Sequence, residues 1–340
     1  MSVTIIVGGQ YGSEGKGKIA AYLSGEFDWA VKSGGPNSGH TVYKGNREYK
    51  LRTIPSAFVN ENCKLAVAPA AIVSVPTLLK EIQMCEISDD RLLIDRMATI
   101  IEDRFINSEK NIVNLIGSTG QGVGAALIEK LRRSANISFA KDIDALSPYL
   151  SNVSDVLNSE IKAKKKVLVE GSQGFGLSIV HGEYPYVTSR ETTSGTLCSD
   201  TGVGILSVKN IILVIRTFPI RVGGNSGPLK SEIDWGTVTS ISKSPAALEE
   251  FTTVTNRLRR VGKFDVEMVK KAAILNSATS IAVNFVDYLN YENFGINSFD
   301  GLSKEAKDFI ISLEDTLDLP VTLIGTGPKN EHIIDLRKSL

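Results

Sequence analysis

The feature that most constrains this chain is a set of continuous apolar runs, several of them closing on glycine. VTIIVGG (3–9), DWAVKSGG (28–35), KLAVAPAA (64–71), KVLVEGSQG (166–174), IILVIRTF (211–218), SIAVNFVD (280–287) and PVTLIGTG (320–327) recur along the sequence. Most do not alternate apolar with polar residues, so they read as strands buried on both faces of a sheet. Helix-like segments lie between them: AAIVSVPTLLKEIQMCEI, ALIEKLRRSANI, SPAALEEFTTV and DVEMVKKAAILNSA. The pattern predicts an α/β fold with a large, mainly parallel central sheet flanked by helices. No internal repeat and no long Pro/Ser linker interrupts it. Residues 1–340 are therefore expected to form one domain with inserted helical and loop subregions.

Charge narrows the function classes. Lys+Arg and Asp+Glu are both 38, so no global basic field exists to attract nucleic acid or an acidic membrane. The longest apolar stretch, AVAPAAIVSVPTLL (66–79), carries two prolines and falls short of the roughly 20 residues that span a bilayer. The start, MSVTIIVGG, lacks the basic region and cleavage site of a signal peptide. Cys63, Cys85 and Cys198 are too scattered for a metal site or a disulfide framework and read as buried small side chains. A reducing cytoplasm is the expected setting.

The chemistry is expected in the turns that follow the strands. VGGQYGSEGKGK (7–18) joins a strand to a helix. Glycines let backbone N–H groups approach an anion, and the helix presents its positive end. It is not a standard P-loop: Gly9 to Gly15 is one residue too long, and Gly17 follows Lys16 where a hydroxyl would be required. Lys16 or Lys18 could still reach phosphate oxygens. SGGPNSGHTVY (33–43) places Asn37, Gly39, His40 and Thr41 in a second glycine-rich turn, where His40 could donate to a developing charge. IGSTGQGVGAALIEKLRR (116–133) joins a Gly/Ser/Thr loop to a helix and ends in Arg132–Arg133. VEGSQGFGLSIVHGEYPYVTS (169–189) offers Gln173 at a strand end, then Thr188. TTVTNRLRRVG (252–262) clusters Arg257, Arg259 and Arg260 among hydroxyls, which suits carboxylates or phosphates. NFVD (284–287) and GTGP (325–328) close two further strands.

Taken in order, GSEGKGK, NSGHT, GSTGQGVG, VEGSQG, YPYVTS, RLRRVG and GTGP resemble the adenylosuccinate synthetase family, from residue 4 to about 336. The length resembles the compact archaeal members. The resemblance implies a P-loop NTPase-related fold, a homodimer, and the joining of L-aspartate to the 6-position of a purine nucleotide. In the family the acceptor is IMP, GTP drives the reaction through a 6-phosphoryl intermediate, and Mg2+ is the cofactor. Carried over, it assigns catalysis to Ser13, Lys16, His40 and Gln173. Ser13, Asn37, Thr119, Gln173 and Thr188 would hold the acceptor nucleotide, with Arg133 reaching its phosphate across the dimer interface. Gly12, Glu14, Gly15, Lys16, Gly17, Lys18, Gly39, His40 and Thr41 would hold the donor triphosphate, and Asp287, Gly325, Thr326 and Gly327 its purine. Thr253, Val254, Thr255, Arg257 and Arg259 would bind aspartate; Gly39 and Ser13 would face the metal.

Three positions depart from the family pattern. The family loop reads G-D-E-G-K-G-K, and its Asp is the catalytic base; Ser13 stands there. Phe285 replaces the lysine of the T-K-L-D motif, and Asn256 stands where glycine is usual. A serine hydroxyl is no general base near neutral pH unless another group activates it. Ser13 is smaller than a carboxylate and leaves room for the 2-amino group of guanine. The sequence thus resembles the phage-encoded branch of the family, the 2-aminoadenylosuccinate synthetases. These use dGMP, aspartate and ATP on a route to diaminopurine nucleotides. That implies ATP or dATP rather than GTP as donor, and a host cytoplasm as the setting. Two other readings compete: an ordinary synthetase using IMP and GTP, and a nucleotide-binding protein without catalysis.

Overall fold

The computed structural model describes residues 2–252 and 256–337. Its centre is a ten-stranded sheet. In chain order the strands are β1 (Val3–Gly8), β2 (Trp29–Lys32), β3 (Lys64–Val67), β4 (Leu92–Asp95) and β5 (Leu150–Ser151). There follow β6 (Val167–Glu170), β7 (Val208–Arg216), β8 (Ser280–Asn284), β9 (Val321–Gly325) and β10 (Ile333–Asp335). In space the order is β10-β9-β8-β7-β1-β6-β2-β3-β4-β5. Every pair is parallel except β9 with β10.

The apolar runs form this sheet because both faces are covered. Every residue of β1, β2, β6 and β9 is buried. Side chains alternate between two cores, as the two-residue period of a strand requires. Ile6, Leu65 and Leu168 face one core, together with Ile19 and Leu23 of helix α1 (Lys16–Leu23). Ile5, Val7, Val31, Val169 and Leu213 face the other, under helices Val266–Asn276 and Lys304–Leu317. Each such side chain, fully buried, contributes roughly 1.5–3 kcal/mol.

The site follows from topology. Strand order reverses at β1: β2 to β5 lie on one side, β7 to β10 on the other, with β6 against β1. Ligands of open α/β sheets collect beyond the C-terminal strand ends at such a reversal. The turns after β1, β2, β6 and β9 carry glycine-rich motifs, and the turn after β8 carries NFVD. A hairpin, His40–Lys44 with Arg47–Leu51, stands beside them. A small antiparallel sheet of Ile220–Arg221, Arg260–Gly262 and Glu232–Ile233 supports the arginine-rich segment.

Three sequence expectations need correction. SPAALEEFTTV is not helical over its described residues; the helix there is Trp235–Ser242. Thr239 Oγ1 accepts from Leu248 N at 3.0 Å, and the segment runs on irregularly to bring Glu250 against Arg216. AAIVSVPTLLKEIQMCEI is helical only over Val75–Met84. Its Ile72–Val73 pairs instead with Thr99–Ile100. Finally β4, β5 and β10 were not foreseen; they are two to four residues long, too short to show a period. The three cysteines are buried and free, as expected. Among the described residues no helix is long and apolar enough to cross a membrane.

Candidate active site

The loop after β1 is held open from within. Glu14 is fully buried, and its Oε1 accepts from the backbone N–H of Gln10 at 3.0 Å and of Gly12 at 2.7 Å. Lys16 Nζ donates to Glu14 Oε2 at 2.8 Å and to the Gly12 carbonyl at 3.2 Å. Gly12 and Gly15 take positive φ, 96° and 88°, which a side chain would strain. A Cβ on Gly15 would also lie 2.7 Å from Asn284 Nδ2. Lys16 therefore stands at the loop it is assigned to. Lys18 points elsewhere: its Nζ donates to the carbonyls of Gly327 and His332 at 2.6 and 2.8 Å. Burial pushes that ammonium down to about 7. Lys18 thus ties α1 to the turn after β9.

A cavity of about 190 Å³ opens beside the loop. Gly12, Ser13, Asn37, Gly39, Thr119, Gln173, Thr188 and Arg259 all line it, so the proposed acceptor residues other than Arg133 converge on one space. Asn37 Nδ2 reaches Thr188 Oγ1 at 3.5 Å. Arg221 walls the same cavity, its guanidinium 4.5 Å from the Tyr11 ring centre. Arg133 follows the helix Val123–Leu131, is exposed, and does not line the cavity.

At the cavity's inner end two arginines meet Ser13. Arg259 Nη1 donates to Ser13 Oγ at 2.6 Å, and Arg216 Nη1 donates to the Ser13 carbonyl at 3.0 Å. Arg216 is buried, pairs with Glu250, and lies 3.9 Å from the centre of the Phe285 ring. Arg257 is exposed. Thr253, Val254 and Thr255, assigned to aspartate from the sequence, lie outside the described residues.

His40 opens the hairpin and is buried; Thr41, the next residue, is exposed. His40 Nδ1 contacts Glu170 Oε1, and Nε2 has no partner. Burial first, then the charge of Lys32, pushes the imidazolium down to about 4 despite Glu170, so the ring is neutral at pH 7. Burial alone would raise the Glu170 carboxyl, but Lys32, His40 and Ser56 hold it at about 2.

The residues assigned to the donor base from the sequence gather at β8 and β9. Asp287 is buried with Oδ1 unpartnered, and burial pushes its carboxyl up to about 6. Gly325 leaves room for Asn284 and Lys18, and a Cβ on Gly327 would lie 2.5 Å from His332 Nδ1. Thr326 is buried and donates to the Ile296 carbonyl at 2.9 Å. The rings of Tyr291 and Phe294 stack 5.4 Å apart beside this turn, a feature the sequence reading did not single out.

Sequence reasoning also missed Lys32, Glu170, Arg216 and Glu250. A signal existed for the first three: each is a charged residue that closes an otherwise apolar run, in WAVK, VLVE and ILVIR. A buried charge there has to be paired. Glu250 carried no such mark.

Together these features define a class: an α/β protein of nucleotide-binding type, with a glycine-rich loop set against an arginine-lined cavity. Comparison with known proteins narrows it. A family model for adenylosuccinate synthetase matches residues 5–141 and 137–294. The adenylosuccinate synthetase of Methanocaldococcus jannaschii is 39% identical over 348 residues, covering 100% of this chain and 98% of that protein. That of Archaeoglobus fulgidus is 40% identical over 344 residues, covering 99% of each. The fully ligated adenylosuccinate synthetase of Plasmodium falciparum superposes with a TM-score of 0.83 at 24% identity, covering 98% of this chain and 100% of that one. The succinoaminodeoxyadenylate synthetase of cyanophage S-2L, bound to dGMP and dATP, also gives 0.83 at 24% identity, covering 98% and 95%. The chain belongs to the adenylosuccinate synthetase family and is a carbon–nitrogen ligase.

Proposed function

We propose that this ligase condenses L-aspartate with the 6-position of dGMP, giving 2-amino-2'-deoxyadenylosuccinate, with ATP or dATP as phosphoryl donor. The observation that carries the reading is Ser13, which lines the acceptor cavity with Arg259 bonded to its oxygen and brings no carboxylate of its own. Guanine carries a 2-amino group beside N1, where the family's aspartate would point. A hydroxyl leaves that space open. Phe285, stacked on Arg216, removes the lysine of the family's guanine motif and supports an adenine donor. The cyanophage enzyme, with dGMP and dATP bound, shows that the same fold accommodates this pair of nucleotides.

The steps follow from the residues present. The phosphate loop, with Lys16, binds the donor's phosphates. His40 stabilises the phosphoryl group in transfer to the acceptor's 6-oxygen. To donate there, its ring must hold both protons. Glu170 behind the ring and phosphate oxygens in front both favour that state. Arg259 binds a carboxylate of aspartate, whose amine then displaces phosphate from C6. Asp287 faces the donor base. Magnesium supplies charge neutralisation on the phosphates when bound. Among the described residues no cluster of three metal-binding side chains exists, and a guanidinium on Ser13 Oγ opposes a cation there. Gly39's carbonyl, with the nucleotides' own oxygens, fits a hard ion that retains water. The active unit is a homodimer in which Arg133 serves the neighbouring acceptor site.

A second reading has its own support: the archaeal relatives, 39–40% identical over nearly the whole chain, are ordinary synthetases. Phosphate release with aspartate and magnesium separates the two. Turnover should be fastest with dGMP and ATP or dATP. Faster turnover of IMP with GTP would establish the ordinary activity. Nucleotide binding without turnover would leave a binding protein.

A further inference from the structure

We propose that Glu170 is the positioning residue of His40: an ionised carboxylate, balanced by Lys32, that fixes the imidazole through Nδ1 and leaves Nε2 alone for the reacting phosphoryl group. The proposal rests on the phosphoryl-transfer reading of the site.

Glu170 ends β6 and is completely buried. Its Oε2 accepts from Ser56 N at 2.6 Å, and its Oε1 from Ser56 Oγ at 2.7 Å. His40 Nδ1 meets the same Oε1, and Lys32 Nζ lies 3.7 Å from it. An ionised carboxylate only accepts hydrogen bonds. Nδ1 must therefore carry a proton whether the ring is neutral or charged, and that settles the tautomer. Nε2 is buried and has no partner. A buried polar atom without a partner needs an explanation, and a substrate contact supplies one.

Lys32 completes the arrangement. It closes β2 beside β6, is buried, and makes no hydrogen bond of its own. Its charge keeps Glu170 ionised in a place where burial alone would favour the neutral acid. Gly17 admits the cluster: a Cβ there would lie 2.8 Å from His40 Cβ and 2.9 Å from Ser56 Oγ. The glycine between the two lysines of the phosphate loop thus lets α1 press directly on the histidine and its support. The charged groups facing His40 are Lys32 from β2, Glu170 from β6 and Lys16 from α1. An imidazole held by a second group in one tautomer and orientation is the arrangement that makes histidines effective in catalysis.

The chain has three histidines, so a 15N-histidine-labelled sample gives three imidazole spin systems. His40→Gln identifies the one of interest. Without substrate its Nδ1 should be protonated, as the contact with Glu170 requires. Glu170→Gln should abolish the single tautomer and lower kcat at least tenfold, with KM for each substrate within about twofold. Ser56→Ala, which keeps the carboxylate and the Ser56 N–H, should keep the tautomer and lower kcat about threefold. A wild-type ring whose Nδ1 carries no proton would overturn the proposal. So would a Glu170→Gln enzyme with kcat within twofold of wild type. If Glu170→Gln does not fold, the wild-type tautomer and the Ser56→Ala kcat decide. Assays with both dGMP and IMP keep the outcomes separate, because a mistaken acceptor shows as turnover of IMP and leaves the tautomer result untouched.

Discussion

Arg259 donates a 2.6 Å hydrogen bond to the hydroxyl oxygen of Ser13. One lone pair of that oxygen is thereby engaged, and a guanidinium sits where a divalent cation or a second donor would otherwise approach. The same arginine lines the cavity proposed for the acceptor. Ser13 is thus less a free hydroxyl than the neutral end of a charged pair.

Replacing Ser13 by Asp tests this directly. The new carboxylate would pair with Arg259 and project toward the acceptor's N1 and its neighbour. Ser13→Asp is expected to lower kcat/KM for dGMP at least tenfold and to raise it for IMP. Phosphate release with each acceptor measures both. A rise with dGMP would show that crowding at the 2-amino group is not what Ser13 avoids.

Arg259 should dominate aspartate affinity. Losing a charge-assisted hydrogen bond costs about 1.5–3 kcal/mol, roughly ten- to hundredfold in kcat/KM. Arg259→Lys keeps the charge but not the fork that can hold Ser13 and a carboxylate together. Its KM for aspartate should rise at least tenfold while KM for the acceptor stays nearly constant. Initial rates over an aspartate titration give the answer, and an unchanged KM would remove Arg259 from the aspartate site.

How far the site could be read from sequence depends on distance along the chain. Lys16, Glu14 and Gly12 lie within one loop, and their glycine spacing announces an anion site. The acceptor residues were assigned through family resemblance, and their convergence on one cavity follows from the strand order, which no local pattern encodes. The partners of Lys18 are set by the same long-range topology. Its ammonium is held by the turn after β9, 309 residues away along the chain, which no local pattern announces. The central strands were legible because burial on both faces removes their polar alternation. The 244–252 segment was not, because Pro245 and Ala246–Leu248 give helix-like composition to a stretch whose course is set by Glu250 meeting Arg216.

Asp287 links function to stability. Its carboxyl is raised from 3.8 to about 6, chiefly by burial, so between those pH values the folded protein holds a proton that the unfolded chain has released. Stability from this group is full below pH 4 and is lost as pH rises through 6. The loss is about 3 kcal/mol by the two-unit shift, to order of magnitude. Asp287→Asn should therefore be more stable than wild type at pH 8, with the difference vanishing below pH 4. Chemical denaturation at the two pH values measures it. The same variant should weaken donor-nucleotide binding, since Oδ1 has no partner within the protein.

Glu250 carries the last prediction. Arg216 is buried, donates to the Ser13 carbonyl, and stacks on Phe285, so one guanidinium touches the phosphate loop, the turn after β8 and the segment leading to the arginines. Glu250 is its counter-charge and is only partly exposed, with 21% of its side chain accessible. Glu250→Gln leaves Arg216 buried without a balancing charge. Breaking a buried pair costs up to about 3–5 kcal/mol, and partial exposure of the carboxylate places this one near about 2 kcal/mol. The loss should not be confined to stability. Glu250's carbonyl also accepts from Arg259 N at 2.8 Å, so a shift at residue 250 moves the arginine that meets Ser13. Glu250→Gln is expected to lower the urea midpoint and to raise KM for aspartate together, while the conservative Glu250→Asp, which keeps the charge, recovers most of the stability. Equal midpoints for Glu250→Gln and wild type would mean that Arg216 is balanced by some other group.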